Sequence, residues 1–169
     1  MEVITNKIAT SGLITLDLTQ YLPEKESIAA FDIKPFLFKE LILKEKEYRE
    51  ALKNHDWQIY QGKHVAIFCS TDAIIPLWAY MLATTYLQSV AASVHFSTPD
   101  TLATEICIRH IEAINPEEYT GKKVIIKGCG DKEIPEAAYV AISTKLLPVV
   151  HSLMYGEACS TVPVYKKKA

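Results

Sequence analysis

The chain has 169 residues and a formal net charge of −2. That length favours a single domain, and the near-neutral charge argues against a nucleic-acid-binding or membrane-surface protein. The sequence contains no apolar stretch close to the roughly 20 residues that span a bilayer, and the N-terminus lacks the features of a signal peptide. These properties predict a cytoplasmic protein without nucleic-acid or membrane partners.

The first 59 residues predict a strand followed by a cover helix. Apolar and polar residues alternate over 11–19, which is typical of a half-buried strand. A helix is expected over about 35–54, because apolar residues recur on one side and Asp32 can serve as its N-cap. Pro35 falls in the first turn, where the missing N–H does no harm.

The most informative feature of the chain is a stretch that occurs twice, at 60–93 and at 119–152. Fourteen of the 34 aligned positions are identical, where chance gives roughly one in fifteen. Each copy predicts a buried strand, a turn and a helix capped by Asp72 or Asp131, and the first copy returns as a short strand. We therefore predict a duplicated βαβ-like unit with parallel strands.

Two further elements complete the predicted fold. A helix is expected from Pro99 to the Asn115-Pro116 stop, with Cys107 as a core residue on its apolar face. Residues 161–165 predict an edge strand, because Pro163 is excluded from a central one. The predicted fold is α/β, with a mainly parallel sheet built from both repeats, an N-terminal strand/helix segment and a C-terminal edge strand. It forms one domain with segments 1–59, 60–118 and 119–169.

The turns that follow the first strand of each repeat are the predicted site. They read CSTD at 69–72 and GCGD at 128–131. In parallel α/β sheets, ligands bind beyond the carboxyl ends of the strands, where helix N-termini supply backbone N–H groups and positive potential. We expect a small anion or metabolite as the ligand. The candidate ligand-binding residues are Ser70, Thr71, Asp72, Gly128, Gly130 and Asp131.

Cysteines suggest a second kind of chemistry at the same place. Cys129 lies between two glycines at a predicted helix N-terminus, a setting that lowers a thiol pKa, so it is the candidate reactive or catalytic residue. If the fold converges them, Cys69, Cys129 and Cys159 could hold zinc or iron. Their spacing matches no established metal motif, and the structural alternative is that they are buried thiols.

The chain also contains the residue types of a hydrolase triad. Ser70, His95 and Asp72 supply the residue types of a Ser/His/Asp triad, but nothing in the sequence fixes their geometry. His95 is interpreted as a strand residue.

Four stretches carry a resemblance to a known family. They are NHDWQIYQGKHVAIFCSTDAIIPLWAYML at 54–82, NKIATSGLITLDL at 6–18, KGCGDKEIPEAAYV at 127–140 and MYGEACSTVPVYKK at 154–167. With them, the chain resembles the DUF2480 family of bacterial proteins, best known from Bacteroidetes, over nearly its full length. The family pattern includes cysteines at 69, 129 and 159. The resemblance implies a compact bacterial cytosolic protein and assigns no activity, cofactor or partner.

Three hypotheses follow for the function, and the sequence leaves open whether the protein is an enzyme. The first is a metal- or thiol-dependent protein centred on Cys129. The second is a non-catalytic module that binds a small anion or metabolite at the paired helix N-termini. The third is a subunit of a homo- or hetero-oligomer, with the C-terminal strand and an aromatic set of Trp57, Trp78 and Tyr80 at the interface.

Overall fold

The computed structural model describes residues 12–127, 130–157 and 159–168. The chain divides into two compact units. We call Pro23–Ala103 the central unit, and the described residues of 1–22 and 104–169 the terminal unit. Within the described ranges, none of the helices has the length and apolar character needed to cross a membrane. The prediction of a single domain stays a prediction.

The secondary structure alternates strands and helices. The strands are β1 Leu13–Leu16, β2 Ile28–Asp32, β3 His64–Phe68, β4 Ser93–Phe96, β5 Lys123–Ile126, β6 Ser152–Glu157 and β7 Ser160–Lys166. The helices are α1 Glu45–Lys53, α2 Leu77–Leu87, α3 Pro99–Glu112 and α4 Glu136–Leu146. Short 3₁₀ turns at Trp57–Tyr60 and Pro116–Tyr119 lead into β3 and β5.

The central unit contains a three-stranded parallel sheet in the order β2-β3-β4. Strand β3 is buried at its three middle residues, as the apolar run HVAIF predicts for a central strand. Helix α1 is fixed to α2 by the buried Tyr48 hydroxyl, which donates to the Ala79 carbonyl at 3.0 Å. The core of this unit includes Phe31, Tyr48, Leu52, Val65, Ile67, Ala79, Ala83 and Leu87.

The terminal unit contains a four-stranded sheet in the order β1-β5-β6-β7. The first three strands are parallel, and β7 runs antiparallel to β6 along the edge. The predicted C-terminal edge strand is therefore confirmed. The core of this unit includes Leu16, Leu18, Cys107, Val124, Ile126, Ala138, Ile142, Leu146 and Leu153.

The α/β class and the mostly parallel pairing are confirmed, whereas the prediction of one sheet is wrong. The central strand of each repeat already has a neighbour on both sides. Strand β3 lies between β2 and β4, and β5 lies between β1 and β6. Because both hydrogen-bonding edges of each central strand are occupied, β3 and β5 cannot pair with each other, and each repeat has its strands in a sheet of its own.

The predicted cover helix over 35–54 is wrong in its first half, since α1 begins at Glu45. Residues before it form a tight turn in which Phe38 and Ile42 make an isolated antiparallel bridge. Lys39 and Glu40 within that turn have left-handed backbone conformations, with φ of 50° and 57°. Such conformations are incompatible with a right-handed helix.

The predicted capping roles of Asp72 and Asp131 are also wrong. Helix α2 begins after Pro76, whose ψ of 135° is extended, and α4 begins after Pro135, whose ψ is 142°. A proline disfavours helical geometry at the residue before it, so neither helix can extend back to the aspartate. The loops after β3 and β5 are consequently longer than predicted.

The two repeats have the same local geometry at a constant offset of 59 residues. Helices α2 and α4 both span 11 residues and begin and end at equivalent positions. Gly62 and Gly121 have φ of 69° and 70°, a conformation that glycine adopts at little cost. Their N–H groups donate to the carbonyls of Val90 and Val149 at 2.9 and 2.8 Å.

Candidate functional site

Asp32 lies at the carboxyl end of the central sheet, where β2 ends. Its Oδ1 accepts hydrogen bonds from the N–H groups of Lys34 at 2.9 Å and Ser70 at 3.0 Å. Its Oδ2 accepts the Ser70 hydroxyl proton at 2.5 Å. The aspartate therefore ties the loop after β3 to the end of β2. Burial raises the pKa of Asp32, but these hydrogen bonds and the Lys34 charge outweigh it and lower the pKa below its ordinary value.

Asp32→Asn is expected to destabilise the protein by about 1–2 kcal/mol at pH 7, because a charged acceptor of three hydrogen bonds is lost. Because the pKa of Asp32 is lower in the folded protein than in the unfolded chain, the ionised carboxylate stabilises the fold at pH values above its ordinary pKa. This stabilisation is lost as the pH falls toward the pKa of the folded state. The difference between wild type and variant should thus shrink on acidification below pH about 4. Urea unfolding from pH 2 to 7 measures it, with the exposed Asp72→Asn as control. A constant difference across this range would contradict the prediction.

Asp17 occupies the equivalent position in the terminal unit. Leu16 pairs with Ile126 in the terminal sheet, and Phe31 pairs with Ile67 in the central sheet. Ile67 and Ile126 are equivalent positions of the two repeats, so in both sheets an aspartate follows the residue that pairs with this position. Asp17 Oδ1 accepts the N–H and the hydroxyl of Thr19 at 2.9 and 2.7 Å. The Thr19 hydroxyl and N–H lower the pKa of Asp17, burial raises it, and Lys127 lowers it further.

A polar depression surrounds this second aspartate. Lys127 Nζ donates to Asp17 Oδ2 at 3.1 Å, and both side chains are about one-third exposed. The remaining lining comes from the loop between β5 and α4 and from the chain after β1. The lining residues are Asp17, Thr19, Lys127, Gly130, Asp131 and Lys132. This arrangement places two ammonium groups and a hydroxyl beside two carboxylates, at the end of the sheet where the sequence predicts a ligand.

The four residues of the predicted CSTD turn do not converge on one site. Cys69 is half-buried and packs against the central core, whereas Ser70 points to Asp32. The Thr71 carbonyl accepts the N–H of Ala73 at 2.9 Å. Asp72 is exposed and lines an apolar groove near Leu41 to Leu43, not a polar pocket. Of this turn, only Ser70 takes part in a polar constellation that the structure describes.

The predicted GCGD turn is described in part. Gly130 and Asp131 line the polar depression, whereas Gly128 and Cys129 lie outside the described residues. Cys159 is exposed in the turn between β6 and β7, and it belongs to a different unit from Cys69. Over 12–127, 130–157 and 159–168, no three His, Cys, Asp or Glu side chains form a group that could hold a metal ion.

Cys107, the remaining thiol, is fully buried in the terminal core, and burial raises its pKa. Its predicted role as a core residue is confirmed. A buried thiol with a raised pKa is poorly suited to nucleophilic or ligand chemistry.

The described contacts do not support a Ser70–His95–Asp72 triad. Ser70 binds Asp32, and Asp72 lines the apolar groove. His95 is a strand residue of β4, as predicted, and its Nε2 lies 2.8 Å from the Ser93 hydroxyl. The same hydroxyl lies 2.7 Å from His64 Nδ1 on β3. Ser93 thus bridges two imidazoles across neighbouring strands. A single hydroxyl proton can be donated to only one of them.

Four residues of the depression are not predicted from the sequence, and Asp32 is predicted only as a helix cap. The four are Asp17, Thr19, Lys127 and Lys132. One pattern could have indicated the aspartates. Both Leu16-Asp17-Leu18 and Phe31-Asp32-Ile33 place a carboxylate between two apolar residues at a strand end. The flanking side chains are fully or almost fully buried, so the aspartate is held at the sheet end with little freedom.

The comparisons with known proteins identify the family and nothing more specific. No curated protein and no solved structure matches this chain. The family described as "Protein of unknown function (DUF2480)" matches residues 2–167, almost the whole sequence and all of the elements described above. The chain belongs to the DUF2480 family.

Proposed function

We propose that the protein is a binding module for a small polar metabolite that carries an anionic group, held in the depression of the terminal unit. The observation that carries this proposal is the Lys127–Asp17 ion pair, which lies in an open, polar concavity at the carboxyl ends of the parallel strands β1 and β5. In α/β sheets of this kind, that end is where ligands bind.

The lining residues supply the chemistry that such a ligand needs. Lys127 and Lys132 provide ammonium donors for a phosphate or carboxylate group. Thr19 and the carboxylates of Asp17 and Asp131 can bind hydroxyl or amino groups elsewhere on the same molecule. Because the charges of the lining balance, a ligand that carries both polar donors and an anion fits better than a bare polyanion.

Substitutions in the Lys127–Asp17 pair test the proposal, because replacing one residue or the other should change phosphate affinity in opposite directions. Asp17→Asn removes the carboxylate that competes for Lys127, so binding of inorganic phosphate is expected to strengthen. Lys127→Met removes the cation and should weaken binding about tenfold, equivalent to about 1.4 kcal/mol. Phosphate titrations followed by ³¹P NMR measure both changes.

Lys123→Met is the matched control, because Lys123 is exposed in the same unit and does not line the depression. It should leave phosphate binding unchanged. If both Asp17→Asn and Lys127→Met behave like this control, the depression is not the binding site.

A reactive thiol at Cys129 is a second proposal for the same place. Its support is positional, since residues 127 and 130, which flank the GCGD cysteine in sequence, both contribute to the depression. Under this proposal, an electrophilic ligand would be positioned by Lys127 and Lys132 beside the thiol.

We also propose that the two repeats descend from one duplicated unit. Their helices begin and end at equivalent positions, and their glycine turns are equivalent, all at an offset of 59 residues. The ligand site would then have been retained in the terminal unit.

A further inference from the structure

Helix α2 of the central unit presents an apolar face outward. Ile74, Leu77 and Met81 are 94%, 79% and 70% exposed. Leu77 and Met81 are one helical turn apart, and Ile74 precedes them in the same loop-to-helix segment. A groove beside them is lined by Leu41 to Leu43 on one side and by Asp72 to Ile74 and Pro76 on the other. We call Leu41, Ile42, Ile74, Leu77 and Met81 the apolar face.

The equivalent segment of the terminal unit is charged at two of the three positions. At an offset of 59, the counterparts of Ile74 and Leu77 are Glu133 and Glu136, whereas the counterpart of Met81 is Val140, which is 66% exposed. Helix α2 has no charged residue in its sequence LWAYMLATTYL, whereas α4 carries charged residues at both ends. A helix that is apolar on all sides is normally buried, so α2 has the composition of a helix with a partner on its outer side.

The charges around the apolar face select the kind of partner. Lys34 pairs with Glu40 at 3.5 Å and Lys44 with Glu47 at 3.1 Å. The charge of Lys39 in the same turn is balanced in number by Asp72, which lines the groove, so the charges near the groove sum to zero. A net positive rim, which an anionic lipid surface requires, is therefore missing from the described neighbours of the face. A face without net charge can instead meet an identical face without repulsion.

Shape and size agree with a second copy. An isologous interface needs a self-complementary surface, and a ridge formed by Leu77 and Met81 beside an apolar groove satisfies that need. Burial of a large aliphatic side chain removes roughly 60–120 Å² of apolar surface, so the five side chains supply roughly 300 Å². That is more than half of the apolar area in a standard homodimer interface of about 800 Å² per partner.

We propose that the protein forms a two-fold homodimer through the apolar face, with the α2 ridge of each copy seated in the groove of the other. This interface differs from the sequence-based hypothesis, which used the C-terminal strand and the Trp57, Trp78 and Tyr80 set. It is independent of the ligand depression in the terminal unit.

Sedimentation velocity of the full chain at about 20 µM tests the proposal, since standard-sized interfaces reach micromolar affinity or better. Wild type is expected to sediment as a dimer. Met81→Lys places an unpaired charge in the interface and should raise the dimer dissociation constant, measured over a dilution series, at least about 100-fold, so that a dimer of micromolar affinity becomes a monomer at this concentration. Val140→Lys introduces the same charge at the equivalent position of α4 and should leave the dimer intact.

Ile74→Lys keeps the test decisive if Met81→Lys folds poorly. Ile74 is almost completely exposed, so its replacement cannot disturb the core, and it should also yield a folded monomer with an unchanged circular dichroism spectrum. A monomeric wild type would overturn the proposal, as would a dimer that resists both changes. A monomer that binds neutral phosphatidylcholine vesicles through Ile74 and Met81 would overturn it too, and would assign the face to a lipid surface.

Discussion

Replacing Phe31 by alanine is expected to lower the free energy of unfolding of the central unit by about 3–5 kcal/mol. Phe31 is 1% exposed at the end of β2. Its ring stacks on Phe36 and Trp57 with centroids 5.5 and 5.4 Å away, and it meets Tyr60 and His55 edge-on at 6.0 and 5.7 Å. Removal of the ring leaves a cavity among four rings, and such clusters collapse poorly because their side chains are rigid.

Urea unfolding monitored by tryptophan emission measures this loss, since both tryptophans belong to the central unit. Phe96→Ala is the control: Phe96 is on β4 of the same sheet but is 78% exposed. Its replacement should cost less than about 1 kcal/mol. Equal losses for the two variants would show that the ring cluster around Phe31 is not a packed core.

That cluster also shows how far a sequence can predict a core. The apolar runs of β3 and β5 and the apolar stripe of α3 follow from local patterns, and the structure confirms them as buried elements. The ring cluster gathers Phe31, Trp57 and Tyr86 from three separate segments, with Trp57 and Tyr86 stacked at 5.0 Å. No periodicity within any one segment indicates which rings meet.

The candidate site illustrates the same limit more sharply. The repeat alone predicts the loops after β3 and β5 as ligand-binding loops. Each loop meets a carboxylate from outside the repeat, within its own unit. Asp32 binds Ser70 in the central unit, and Asp17 meets Lys127 across 110 positions of the chain in the terminal unit. The pairing of β1 with β5 and of β2 with β3 decides those contacts, and strand pairing is a tertiary property that local pattern does not encode.

Prolines explain why the capping assignments were wrong although the helices themselves were predicted. In isolation, Ser70-Thr71-Asp72 followed by an apolar run is a reasonable helix start. Pro76 and Pro135 move the start four residues on, because each proline is itself extended and disfavours helical geometry at the residue before it. The displaced loops are what leave Ser70 free to reach Asp32, and Gly130 free to line the depression.

Leu146→Ala is expected to destabilise the terminal unit by about 2–5 kcal/mol. Leu146 is the last residue of α4 and is fully buried in a core that joins this helix to β1, β5 and β6. Its side chain fills the space where the helix end meets the sheet, and alanine there leaves a cavity that close-packed neighbours cannot fill. Hydrogen exchange at the amides of Val124, Ile125 and Ile126 measures the loss within this unit.

Val140→Ala on the same helix separates packing from helix propensity. Val140 is 66% exposed, and alanine is the better helix former by several tenths of a kcal/mol, so this variant should be neutral or slightly stabilising. If α4 packs on the sheet through Ala138, Ile142 and Leu146, only the Leu146 variant should speed exchange of the β5 amides. Similar exchange rates in the two variants would mean that α4 does not bury this face, and the depression would then lack a rigid base.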